Sequence, residues 1–188
     1  METNELKILL KNFVPQGEQE HSDLRIFREF AEDSRNLTRD SVAHFTASAF
    51  VLNKKHDKLL AIFHKIYQSW GWLGGHSDGN ADLLAVALKE VREESGLSQL
   101  KVLEPAPISL EAITVPAHVH RTHGYVSAHL HLNVTFLFEA DENETLHKNE
   151  AETGGIAWVP LNEFVAKSNE AEMTPIYEKI ISRIEQLN

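Results

Sequence analysis

Apolar positions along this chain fall into two regimes that meet near residue 42. Before it the spacing is helical. Leu6, Ile8, Leu9, Leu10 and Phe13 predict a short helix ending near Pro15, and Leu24, Ile26, Phe27 and Phe30 predict a second over about 22–33. After it the pattern is mostly that of strands. Segments 45–52 and 58–66 flank the polar turn 53–57 and predict a hairpin. Trp70, Gly71, Trp72 and Leu73 then lead directly into Gly74 and Gly75. Helical spacing returns with Leu83, Leu84, Ala87, Leu88 and Val91, an apolar stripe wide enough to bury. Asp78, Asn80 and Asp82 offer N-cap chemistry ahead of that helix, and Gly96 is a natural stop. Segments 101–103, 108–115, 128–140 and 155–159 read as strands, and a last helix is predicted over about 174–186 after Pro160. Strands, helix, strands and a closing helix predict an α/β sandwich with a mixed β-sheet. The expected division is an N-terminal helical extension at 1–41 and a main domain at 42–188. The extension is expected to cover the main domain or to make a subunit contact, leaving a homodimer open. A part in shaping the substrate site is the lesser alternative.

Composition narrows the function. At 188 residues and 42% hydrophobic content, the chain fits one globular domain with an appendage. No apolar run reaches the roughly 18 residues of a membrane span, and the N-terminus lacks the basic start and apolar core of a signal peptide. A cytoplasmic location without membrane partners is therefore expected. The absence of cysteine excludes disulfides, thiolate metal sites and cysteine nucleophiles. A net charge of −10 argues against a nucleic-acid duplex as partner. It also means that an anionic substrate would need local positive charge, which a bound divalent metal supplies.

The central helix carries the first candidate chemistry. At about 100° per residue, Glu90, Glu93 and Glu94 fall within an arc of roughly 100° beside the apolar stripe. Like charges at this spacing repel and destabilise a helix. A hard divalent cation with an affinity for carboxylate oxygen would offset the repulsion. A solvated acidic face is the alternative for the helix alone. A glycine-rich loop feeding a helix N-terminus also leaves N–H groups where a phosphate can dock.

Together, Gly75, Glu90-Val91, Glu93-Glu94 and Gly96-Leu97 stand at fixed intervals, and the segment from Gly75 to Leu97 resembles the Nudix box of the Nudix hydrolase family. Two positions depart from that pattern: Ala81 stands where the family has Glu, and Lys89 where it has Arg. In the family these two resemble an internal brace for the catalytic glutamates. Lys offers a point charge and not a planar bidentate donor, and Asp82 is a neighbouring acid that could partly replace the missing one. The resemblance implies a Nudix-like α/β/α sandwich across 42–188. It further implies Mg²⁺, with Mn²⁺ as substitute, on Glu90, Glu93 and Glu94, joined by the main-chain carbonyl of Gly75. The activity it implies is hydrolysis of the diphosphate in a nucleoside diphosphate linked to another group. Glu93 and Glu90 are the catalytic candidates. Glu150 or Glu152, with Glu150 preferred, resembles an additional metal-binding or base glutamate of the family. A nucleotide-binding module without catalysis is the competing reading. Isoprenoid diphosphate isomerisation, which the fold also hosts, relies on a cysteine that this chain lacks.

Five histidines form a second feature: His118, His120, His123, His129 and His131. Alternation puts each of the pairs 118/120 and 129/131 on one strand face. The readings are hydrogen-bonded strand residues, substrate contacts through His118, His120, Arg121 and His129, or a general base. A zinc site is disfavoured, because the acidic helix already supplies a metal site and no compact finger spacing is present. Trp70, Trp72 and Phe63 are candidates to stack on a base, with Trp72 the one nominated, although aromatics near a sheet are more often core.

Overall fold

The computed structural model describes residues 3–65, 68–120, 124–147 and 153–187, with residues 3 and 120 described by backbone alone. Helices α1 (Thr3–Asn12) and α2 (Gly17–Phe30) and a 3₁₀ turn (Ser34–Leu37) precede the strands. The strands are β1 (Ala43–Asn53), β2 (Lys58–His64), β3 (Ser69–Gly71), β4 (Leu73–His76), β5 (Lys101–Val115), β6 (His118–His120), β7 (Gly124–Val126), β8 (His129–Ala140) and β9 (Thr153–Pro160). Helix α3 (Leu83–Ser95) follows β4, while α4 (Leu161–Lys167) and α5 (Thr174–Leu187) follow β9.

Seven strands make one mixed sheet in the order β3-β2-β1-β8-β5, with β4 also on β1 and β9 also on β2. β1 is its centre and is buried at every position, as expected for a strand covered on both faces. It runs parallel to β8 from Ala43↔Leu130 to Asn53↔Ala140, while β4 pairs antiparallel with its first half, Ala47 opposite Gly75 and Thr46 opposite His76. One face packs Phe45, Ala47, Ala49 and Val51 against Leu83, Val86, Ala87 and Val91 of α3 and Leu24 and Phe27 of α2. The other face packs Phe50 and Leu52 against Phe164 of α4 and Tyr177, Ile180 and Ile184 of α5. This is the mixed-sheet sandwich expected, with its N-terminal helices in place.

Local differences have physical causes. Segments 101–103 and 108–115 form one strand, because Pro105 and Pro107 sit where the register with β8 slips between Val102 and Ser109, a place where a missing N–H is tolerated. α2 begins earlier than its apolar stripe, at Gly17, where Glu20 accepts the Gln16 amide at 2.8 Å. The hairpin β6–β7 and the short α4 were not expected.

The extension is sewn into this body. Leu6, Leu10, Leu24, Phe27 and Ala31 belong to the same buried cluster as Phe45. Beneath them Glu20, fully buried, accepts from Arg183 of α5 at 2.7 Å and from Ser109 of β5 at 3.1 Å, and lies 3.2 Å from Lys179. Burial raises the Glu20 pKa, but the Arg183 hydrogen bond, the Gln16 amide and the neighbouring positive charges outweigh it and hold the carboxyl below its ordinary value. Among the described residues, no helix is long and apolar enough to cross a membrane.

Candidate active site on the acidic helix

Helix α3 is fixed at both ends by its own sequence. The Asp82 side chain accepts the Ala85 amide at 3.0 Å as N-cap, and Gly96 closes the helix at φ 75°, a left-handed conformation natural to glycine. Asp82 is thus committed to capping and does not replace the missing acid of the brace. Its bond also takes up one of the N-terminal donors to which a docking phosphate was expected, and Gly74 and Gly75 lie inside β4, not in the loop before the helix.

The three glutamates take distinct places. Glu90 reaches back over β4 until its carboxylate lies directly above Gly75, where a β-carbon would sit 2.5 Å from the carboxylate carbon. Glu94 is buried and accepts the Gly74 amide at 2.9 Å. Glu93 stands outermost, its side chain 55% exposed against 18% for Glu90. Lys89 bridges these two, 3.1 Å from Glu90 and 2.8 Å from Glu93. The hydrogen bond to Glu93, seconded by that to Glu90, raises the Lys89 pKa above its ordinary value. Ala81 is 5% exposed within the apolar cluster. The position that carries an acid in the box pattern is therefore part of the core here, and Lys89 turns to the acidic face.

A loop holds these elements together. The Leu37 carbonyl accepts both the Ser77 hydroxyl at 2.8 Å and the Gly79 amide at 2.7 Å. Arg39 forks onto Asp78 with contacts of 2.8 and 2.9 Å. Asp78 has φ 44°, a conformation an aspartate tolerates but does not prefer. The extension therefore braces the turn between Gly75 and α3, a role only weakly legible in the sequence.

The other nominated residues lie elsewhere. Trp72 packs edge to face on Tyr177 at 5.3 Å and on Phe50 at 6.0 Å, in the cluster under α4 and α5. His129 and His131 point from β8 to the sheet face opposite α3, where two histidines outside the nominated five join them. His44 lies 5.0 Å from both rings, and His76 lies 5.1 Å from His44 and 4.9 Å from His131. His118, on β6, is 6.3 Å from His129. Burial pushes the His131 pKa down to about 2 and that of His76 to about 3, and lowers that of His44. His44 and His76 were missed because the parallel pairing His44↔His131 joins segments remote in sequence. The His120 side chain, Arg121, His123, Glu150 and Glu152 lie outside the described residues.

Comparison with known proteins bears on the family and the fold. The family profile described as NUDIX domain matches residues 42–183. Among solved structures, a Caenorhabditis elegans Ap4A hydrolase binary complex superposes with a TM-score of 0.58 at 17% identity, covering 76% of this chain and 98% of that one. A NUDIX-family hydrolase from Clostridium perfringens gives 0.54 at 20% identity, covering 77% and 98%. The Escherichia coli dihydroneopterin triphosphate pyrophosphohydrolase gives 0.54 at 13% identity, covering 73% and 94%. At these identities the likeness is one of fold. No curated protein matches the chain by sequence.

Proposed function

This chain belongs to the NUDIX domain family, hydrolases of phosphoric anhydride bonds, and on that footing we propose that it is a divalent-metal-dependent enzyme of the cytoplasm that cleaves the diphosphate in a nucleoside diphosphate linked to another group. The observation that carries this reading is the convergence of Glu90 on Gly75 and of Glu94 on Gly74, with Glu93 beside them under one lysine.

The donor set suits a hard cation. Three carboxylates supply oxygen ligands of the kind Mg²⁺ and Mn²⁺ take, and the Gly75 carbonyl is the proposed further oxygen. Lys89 sits on Glu90 and Glu93 as the exchangeable charge a cation would displace. When bound, the metal supplies positive charge to the diphosphate oxygens and acidifies water. The residues do the rest. Glu94, pinned by the Gly74 amide, keeps α3 in register with β4. Glu90 and Glu93 present the remaining oxygens, and a carboxylate of this set or Glu150 takes the proton of the attacking water. Water adds to one phosphorus of the bridge, and the other phosphate departs with its attached group. Lys89, freed from the acids, is placed to meet phosphate oxygen. We assign residues 42–188 to the catalytic unit and 1–41 to its brace. Arg121, which lies outside the described residues, is the proposed phosphate or sugar contact.

A binding module without turnover is the second reading, favoured by Ala81 and Lys89 in place of the brace. A panel of nucleoside triphosphates, nucleotide sugars, ADP-ribose and dinucleoside polyphosphates separates the two. Mg²⁺-dependent, EDTA-sensitive conversion of one of them to a nucleoside monophosphate and a second phosphorylated product supports the hydrolase. Binding without consumption on prolonged incubation supports the module.

A further inference from the structure

We propose that His44, His129 and His131 form a binding site for a divalent transition cation of the zinc class, separate from the acidic site on α3. Their ring nitrogens lie within 4.8 Å of one another, and the Nε2 atoms of His129 and His131 are 3.1 Å apart. Two nitrogens sharing a tetrahedral zinc at about 2.0–2.1 Å stand roughly 3.3 Å apart, so one edge of the polyhedron is already at length.

Tautomers point the same way. The Nδ1 of His44 lies 2.9 Å from the Ser41 carbonyl, and the Nδ1 of His129 lies 2.8 Å from the Ser127 carbonyl. A carbonyl only accepts, so each Nδ1 carries the proton and each Nε2 presents a lone pair to the cluster. A ring N–H held by a backbone carbonyl is the usual support of a metal-ligating histidine. The His44 Nε2 completes the case. His44 is 3% exposed, and its Nε2 is buried without a hydrogen-bond partner among the described residues. A buried lone pair facing two further imidazoles calls for a Lewis acid or a donor among them.

Imidazole nitrogen selects zinc-class cations over Mg²⁺, whereas the carboxylates of α3 select the reverse. The two centres also lie on opposite faces of the sheet. Gly75 faces Glu90, and the next residue of β4, His76, packs against His44 and His131. Three protein ligands leave a fourth position for water or a neighbouring ring. Occupation would tie the start of β1 to the start of β8.

Tag-free protein, stripped with EDTA and returned to excess Mg²⁺, is titrated with Co²⁺ and then Zn²⁺. Stoichiometry is read by elemental analysis, nitrogen coordination by the Co²⁺ visible spectrum, and folding by circular dichroism. One equivalent is expected, with a raised Tm, unchanged in Glu93→Gln and in His21→Ala, an exposed position of α2. Folded His129→Ala and His131→Ala should each lose at least about 100-fold in affinity. No uptake by the wild type, as when water fills the cluster, overturns the proposal. So does uptake that survives both histidine variants, or that is lost in Glu93→Gln.

Discussion

Gly75 lies so close under Glu90 that a β-carbon there would stand 2.5 Å from the carboxylate carbon. The obstructing atoms are the far end of a flexible side chain, so Gly75→Ala should fold and push Glu90 aside. Displacement of a catalytic group by about 1 Å can cost on the order of a hundredfold in rate. A fall of that size in kcat/KM, with an unchanged Tm, is the expected outcome. Wild-type rates would show that Glu90 does not need this place.

Lys89 offsets the repulsion between Glu90 and Glu93, and a cation must compete with it. Lys89→Gln should lower the stability of the metal-free protein by no more than about 1 kcal/mol, since the pair is exposed. It should also tighten Mg²⁺ binding several-fold in calorimetric titration. Ala81→Glu alone should destabilise the protein, because it buries an unpaired carboxylate. Lys89→Arg in the same chain should recover part of that loss, and a double-mutant cycle reads the coupling. Additive effects would mean that positions 81 and 89 do not meet.

Glu20 joins the extension to the sheet and to α5. Removing one member of a buried ionic cluster strands the others, so Glu20→Ala should cost about 3–5 kcal/mol in urea unfolding. Arg39→Ala breaks a more exposed pair and should leave stability nearly unchanged. It should instead lower turnover, since Asp78 in the turn ahead of α3 is no longer held. A large Tm loss in Arg39→Ala with normal turnover would contradict that division of labour.

The buried histidines set a pH dependence. His76 and His131 titrate near 3 and 2 in the fold, against about 6.5 when unfolded. Above 6.5 both states are neutral and the rings contribute no slope. Below it the unfolded chain takes up protons that the fold refuses, so stability falls with falling pH, by up to about 1.4 kcal/mol per unit for each ring. The groups facing His76 include Arg39, His44, His129, His131 and Asp78, and Asp78 opposes the depression. Metal-free protein should lose Tm between pH 6.5 and 5, and His131→Asn should flatten the slope. A flat profile in the wild type would show the rings to be solvated.

Much of this was legible in the sequence, for reasons that differ by element. The spacing from Gly75 to Leu97 could be read because α3 is a single helix, so intervals along the chain are intervals on its surface. Asp82 caps it through its side-chain oxygen, and Gly96 through the left-handed backbone that the lack of a side chain permits. Strand β1 could be read because it is apolar and bounded by a polar turn, but its central place beside β8 could not. The histidine centre could not, because period two shows that His129 and His131 share a face but not that His44 lies across from them. Only the parallel register of β1 with β8 does that. Likewise Ala81 and Lys89 marked a departure from the box pattern, but the turn of Lys89 onto Glu90 and Glu93 is a side-chain direction that spacing along the chain does not show.

The most direct test of the central claim is nucleoside monophosphate formation, resolved by chromatography, by wild-type protein and Glu93→Gln, side by side, on the substrate panel with Mg²⁺ and with EDTA. The wild type should hydrolyse at least one nucleoside diphosphate derivative only with metal. Glu93→Gln, folded to the same Tm, should be slower by a thousandfold or more, roughly 4 kcal/mol of lost transition-state stabilisation. Equal turnover in both proteins, or turnover indifferent to EDTA, would contradict catalysis at the acidic helix.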